Sequence, residues 1–139
     1  MRIMGIDYGD SRVGIALSDP LGITAQGLTT LPNKVYKLML KNLLNLVSEH
    51  NVEKIVLGMP KNLNGTLGER ADVTENFLAD LKRELPDMEV VLWDERLTTV
   101  QAAGILNVTN TRGKDRKNVI DTVAASIILQ SYLDYIKGE

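Results

Sequence analysis

The chain has no cysteine, so neither a disulfide framework nor a thiolate metal site enters its chemistry. Its one histidine, His50, closes an apolar-periodic segment and reads as a charge at a helix C-terminus, not as a base. No stretch reaches the roughly 18 uninterrupted apolar residues of a membrane-spanning helix. The first residues lack the basic and long apolar regions of a signal peptide, so a cytoplasmic protein with no membrane partner is expected. An excess of positive charge is also missing. Against 16 bases stand 18 acids, for a net charge of -2, which argues against holding nucleic acid by overall charge alone. The distribution is uneven, however. Between Thr111 and Asn118, Arg112, Lys114, Arg116 and Lys117 are opposed only by Asp115.

What is present is 139 residues with 44% apolar content, enough for one domain over 1–139 with its own core. Residues 2–8 and 12–18 read as strands joined by a hairpin on Gly9 and Asp10. Residues 23–30 alternate and fit a third, edge strand. From Pro32 the period lengthens. Val35, Leu38, Met39, Asn42, Leu43, Leu46 and Val47 mark one face of a helix over 34–50, with Asn33 as its N-cap. The run Val52–Leu57 ends in Gly58-Met59-Pro60 and predicts a buried parallel strand. An Asn- and Gly-rich loop over 61–68 precedes a second helix over 69–84, with Val73, Phe77, Leu78, Leu81 and Leu85 inward. A fifth strand covers Glu89–Trp93. Thr98 and Gln101 form a capping box for a short helix to Leu106. Residues 107–117 read as a mobile basic segment. The last helix is expected over 119–136, with Val119, Ile120, Val123, Ala124, Ile127, Ile128, Ser131 and Tyr135 on its buried stripe. The order β-β-β-α-β-α-β-α-α implies an α/β fold with a five-stranded mixed sheet, the layout of the ribonuclease H-like fold.

In such a sheet the ligand crevice lies beyond the carboxyl ends of the parallel strands. Asp7 ends the first apolar strand, where an unmet charge is costly. Glu95 follows the fifth strand, and Asp121 opens the last helix. Three acids distant in sequence thus have a route to one sheet edge. Oxygen donors of this kind suit Mg²⁺ or Mn²⁺, as one ion or as a pair that assists phosphodiester cleavage. Each acid also has a plainer account. Asp7 fits a turn residue and Glu95 a partner of Arg96. With Asn118 as N-cap, Asp121 falls at N3, where the helix dipole alone favours an acid. Asp10, Asp19 and Asp94 read as turn or surface charges. The basic segment precedes Asp121 and overhangs the same edge, as does the 61–68 loop. Arg70 opens the second helix and faces either a phosphate or solvent.

Four motifs in order carry a family resemblance. They are Gly5-Ile6-Asp7-Tyr8-Gly9 with Arg12-Val13-Gly14-Ile15-Ala16-Leu17-Ser18-Asp19, then Ile55 to Asn62 with Asn64-Gly65-Thr66, then Trp93-Asp94-Glu95-Arg96-Leu97-Thr98-Thr99, and lastly Val119-Ile120-Asp121 with Ala124-Ala125, Ile128-Leu129-Gln130 and Tyr132-Leu133. Along nearly its whole length the chain resembles the YqgF family, also called RuvX, of Holliday-junction-resolvase-like proteins. The resemblance implies a cytoplasmic nuclease of ribonuclease H-like fold that trims the 5′ end of pre-16S ribosomal RNA. It implies Mg²⁺ or Mn²⁺ held by Asp7, Glu95 and Asp121, and a role as monomer or weak dimer. Arg12, Arg70, Arg96, Arg112, Lys114, Arg116 and Lys117 are the expected contacts to the nucleic-acid backbone. Ser11 and Asn118 stand where many members carry a basic residue. Resolution of DNA four-way junctions and non-catalytic RNA binding in ribosome assembly are the alternative functions. The hairpin at Asp7 also resembles the first phosphate loop of actin-like ATPases, but the chain holds no second copy of it.

Overall fold

Short turns and β-branched, apolar residues fold the first part of the chain into a meander, and helices then separate the later strands. The computed structural model describes residues 2–59, 69–94 and 113–137, with side chains over 2–59, 72–94 and 122–137. Its elements are β1 (Arg2–Tyr8), β2 (Arg12–Ser18), β3 (Ala25–Pro32), α1 (Tyr36–Glu49), β4 (Val52–Met59), α2 (Glu69–Glu84), β5 (Glu89–Asp94) and α3 (Gly113–Lys137). The sheet order is β3-β2-β1-β4-β5. β1 runs antiparallel to β2 and parallel to β4, and β4 runs parallel to β5. The expected five-stranded mixed sheet is therefore present. The loop over 61–68 and the short helix ending at Leu106 lie outside the described residues.

Alternation along β1 divides the core in two. Met4, Ile6 and Tyr8 face Met39, Leu43 and Val47 of α1 and Phe77 and Leu81 of α2. Ile3, with Ala16 and Val56 beside it, faces Ala125, Ile128, Leu129 and Leu133 of α3. Tyr8 stacks on Phe77 with ring centroids 4.3 Å apart. Because successive strand residues point to opposite faces, Gly5 and Asp7 belong to the α3 side with Ile3.

Four local expectations are corrected. Asn33 does not cap α1, whose N-cap position is Val35, without a side-chain bond. Val35 and Leu38 are exposed, so the buried stripe of α1 is Met39, Leu43 and Val47. On α2, Thr74 is buried and Val73 is not, while Phe77 and Leu81 face inward as expected and Phe77 packs under Tyr8. Finally, α3 starts at Gly113, so residues 113–117 of the basic segment are helical and not a loop. Lys114, Arg116 and Lys117 are good helix formers and no proline interrupts them. The buried stripe of α3 is Ala125, Ile128, Leu129, Tyr132 and Leu133, while Tyr135 is exposed.

α3 is seated on the sheet through glycine. A Cβ at Gly5 would stand 2.7 Å from Leu129 Cβ and 2.8 Å from the Ala125 carbonyl oxygen. At Gly27 it would stand 3.1 Å from Thr122 Cβ. The lower half of α3 is clasped to the start of β3. Gln130 Oε1 accepts from the Ala25 amide at 2.8 Å, and Lys137 Nζ donates to the Ile23 carbonyl at 2.9 Å. Gly5→Ala must push the helix backbone outward, and overpacking of that kind costs about 2 kcal/mol. Urea denaturation of the variant checks this; an unchanged midpoint would refute the tight seating.

On the other face, Tyr36 of α1 donates its hydroxyl to Asp80 Oδ2 of α2 at 2.5 Å, and Arg83 pairs with Asp80 Oδ1 at 2.7 Å. The Tyr36 hydrogen bond, followed by the Arg83 guanidinium, holds the Asp80 carboxyl below its ordinary value of 3.8, while burial opposes the shift. Burial, followed by the Asp80 carboxylate, raises the Tyr36 hydroxyl. Since Asp80 is depressed on folding, its contribution is fully present above the ordinary carboxylate pKa and is lost as pH falls through the folded value. Asp80→Asn is expected to flatten the acid limb of a stability-against-pH curve while leaving its shape near neutral pH unchanged. An acid limb identical to wild type would refute the linkage.

Candidate active site

Asp7 is the one predicted metal-ligand candidate whose side chain is described, and it is half-buried. Neighbours on its own row of the sheet are small. Gly14 lies opposite it on β2, and Thr30 lies opposite Gly14 on β3. On β4, Val56 pairs with Gly5, so Gly58 is the residue level with Asp7, and Gly58 in turn pairs with Trp93 of β5. The carboxylate thus stands on the α3 side with a glycine position on each flank. Among the described residues no hydrogen bond or ion pair meets it. A carboxylate withdrawn from water without a donor or cation carries a desolvation cost.

The turn after Asp7 is tightly made. A Cβ at Gly9 would lie 2.5 Å from the Arg12 carbonyl oxygen, so close backbone approach requires glycine there. Asn33 reaches this turn from the end of β3. Its side-chain Nδ2 donates to the Gly9 carbonyl at 2.8 Å, and its backbone amide donates to the Ser11 carbonyl at 2.9 Å. Asn33 is 8% exposed, and its Oδ1 is buried without a partner among the described residues. In sequence, a short polar residue after Pro32 signals a helix cap equally well, so nothing there distinguishes this role.

Trp93 fixes the carboxyl end of β5 against α3. Its indole N–H donates to Ser131 Oγ at 3.1 Å, and its ring meets Tyr132 edge-on at 5.5 Å. Glu95 follows this strand directly in sequence, one residue beyond Asp94. Glu95 itself, Arg96 and Arg112 lie outside the described residues. So do the side chains of Arg70, Lys114, Arg116, Lys117 and Asp121, although their backbone positions belong to α2 and α3. Arg12 opens β2, immediately after the turn.

Position 121 is two helical turns inside α3, well past its N-terminus. The helix-dipole account of Asp121 needs the helix to begin near Asn118, and it begins at Gly113. Position 121 precedes Ala125 by one turn and shares its side of the helix. Lys137 bonds Ile23 at the lower end of β3, so the chain of α3 climbs toward the carboxyl end of β1 as residue number falls. Thr122, beside position 121, lies against Gly27 of β3, and Gly27 shares a row of the sheet with Ala16 and Gly5.

Other acids are engaged elsewhere. Asp19 accepts from the Ile23 and Thr24 amides at 2.6 and 2.9 Å, the turn role expected of it, and the Thr24 amide foremost lowers its pKa. A cleft of about 600 Å³ between α1 and α2, lined by Tyr36, Lys37, Lys41, Asp80 and Arg83, lies on the face opposite Asp7. Its Asp80 is already held by Tyr36 and Arg83. Among the described residues no three His, Cys, Asp or Glu side chains cluster, and no helix is long and apolar enough to cross a membrane.

Two solved structures share the fold. Thermus thermophilus RuvC bound to a Holliday junction superposes with a TM-score of 0.59 at 14% identity, covering 99% of this chain and 96% of its own. The fowlpox virus resolvase in complex with Holliday junction DNA gives 0.61 at 15% identity, covering 98% and 99%. Closer in sequence are proteins bearing the name "Putative pre-16S rRNA nuclease". One from Halothermothrix orenii is 50% identical over 135 residues, 97% of this chain and 96% of its own. Another from Geobacillus kaustophilus is 48% identical over 136 residues, 96% of this chain and 98% of its own. With residues 1–135 matching the family model described as RuvX, Holliday junction resolvase, the chain belongs to the RuvX family.

Proposed function

We propose that this chain is a divalent-metal-dependent nuclease that hydrolyses phosphodiester bonds and trims the 5′ end of pre-16S ribosomal RNA. The observation that carries the reading is Asp7. It is a half-buried carboxylate at the carboxyl end of the central strand, unmet among the described residues, on the face covered by α3. A hard cation removes that desolvation cost, and carboxylate oxygens are the donors that Mg²⁺ or Mn²⁺ takes. Glu95, directly after β5, and Asp121, in α3, are the proposed co-ligands for one or two ions. When bound, a divalent ion supplies charge that favours attack by water and departure of the leaving oxygen.

The remaining work falls to cationic side chains. Arg12 beside the turn, Arg70 at the start of α2, Arg96, Arg112, Lys114, Arg116 and Lys117 are proposed to hold phosphates of the backbone. A chain of net charge -2 gathers this local positive charge instead of relying on an overall field. Relatives 48–50% identical over almost all of this chain favour pre-16S RNA over the four-way DNA junction of the family description. The site of action is the cytoplasm, as a monomer or weak dimer.

The decisive experiment is cleavage of a transcript carrying the pre-16S 5′ leader. Wild type is expected to cleave with Mg²⁺ or Mn²⁺ and to stop in EDTA. Asp7→Asn is expected to lower the rate at least about a hundredfold. Equal cleavage by Asp7→Asn removes the assignment, and cleavage only of a four-way DNA junction redirects the substrate.

The basic residues make a separate prediction. A cation that contacts phosphate releases counterions, so its loss reduces the slope of log affinity against log salt by roughly 0.7–0.9. Arg116→Ala and Lys117→Ala are each expected to weaken RNA binding across sequences and to flatten that slope by about this amount. Filter binding over a salt series reads it, and an unaltered slope means that the residue faces solvent.

A further inference from the structure

We propose that Asn33 is a positioning residue for Asp7: its side-chain amide, bonded to the Gly9 carbonyl, holds the turn that follows the carboxylate. The proposal rests on the nuclease reading and adds to it a residue from a different part of the chain. Asn33 is in neither the strand that bears Asp7 nor any of the acidic or basic sets discussed above.

The argument starts from the turn. Gly9 to Ser11 connects β1 to β2, with Asp7 two residues before Gly9 and Arg12 directly after Ser11. Its backbone carbonyls need donors if the turn is to keep one shape. Asn33 supplies two bonds from outside the hairpin, Nδ2 to Gly9 at 2.8 Å and the backbone amide to Ser11 at 2.9 Å. The first depends on the side chain and the second does not. A substitution therefore removes one strap and leaves the other.

The energetics favour placement over stability as the role. Asn33 is 8% exposed, and its Oδ1 is buried with no partner among the described residues. A buried amide with one unpaired acceptor gives back much of what its donor bond supplies. It also forgoes the N-cap of α1, which has no side-chain cap at all. What the amide delivers is a fixed distance between the β3–α1 junction and the Gly9 carbonyl. A carboxylate that must meet a cation and a phosphate within a fraction of an ångström benefits from that fixity.

The test compares Asn33→Ala, Asn33→Asp and Val35→Ala with wild type as full chains. Asn33→Asp keeps the shape and loses the N–H donor. Val35 is 60% exposed and serves as the control on the same segment. Three readouts are taken: deuterium uptake across residues 7–12, the thermal midpoint, and kcat and KM on the pre-16S leader transcript with Mn²⁺. Both Asn33 variants are expected to take up deuterium faster across 7–12 and to lose about ten- to a hundredfold in kcat. KM stays within about twofold, the scale on which uniform binding is judged unchanged, and the midpoint moves little. Val35→Ala matches wild type throughout. Unchanged uptake overturns the proposal, as does faster uptake with wild-type kcat. A kcat loss that follows a general fall in thermal midpoint and a rise in KM also overturns it, since that marks loosening of the whole fold. Should wild type cleave no RNA, the nuclease reading fails separately, and the exchange across 7–12 alone decides whether Asn33 holds the turn.

Discussion

The seating of α3 on Gly5 is the contact on which the rest of the structure depends. With no Cβ between them, the helix backbone approaches the central strand so closely that the Ala125 carbonyl and Leu129 occupy the place of a side chain. That proximity sets the height of α3 above the sheet. The clasp of Gln130 and Lys137 on the start of β3 fixes its direction.

The two faces of the sheet divide the labour. The α1 and α2 side is a packed core closed by the Tyr36–Asp80–Arg83 clamp, and its acid is consumed internally. On the α3 side the core of Ile3, Ala16 and Val56 gives way, toward the carboxyl ends of the strands, to glycine positions on either side of Asp7. A wide cleft lies between α1 and α2, and Asp7 lies on the other face of the sheet.

Much of this was legible in the residues. The span of β2 and of α2, and the end-of-strand place of Asp7, follow from alternation, period and apolar runs whose signals are local. The face of α3 was not legible. Apolar residues occur around much of its circumference, so periodicity does not choose between the Val123–Ile127 side and the Ala125–Leu129 side; the absent side chain at Gly5 chooses. The start of α3 was obscured because a basic run reads equally as a solvated loop or as good helix. Asn33 was obscured because its partner, the Gly9 carbonyl, belongs to a backbone group that no side-chain pattern announces. The co-ligand roles of Glu95 and Asp121 stand on motif and position, whereas that of Asp7 stands on its surroundings as well.

The alternation along β1 has one more consequence, for the fidelity of folding. Side chains in a strand repeat every two residues, so a slip of a single position would exchange the two faces. Asp7 would then be driven among Met39, Leu43 and Phe77, and Tyr8 would take its place beneath α3. Such a chain would bury a bare carboxylate in hydrocarbon. The cost of burying that carboxylate thus disfavours the slipped register and helps to select the correct pairing.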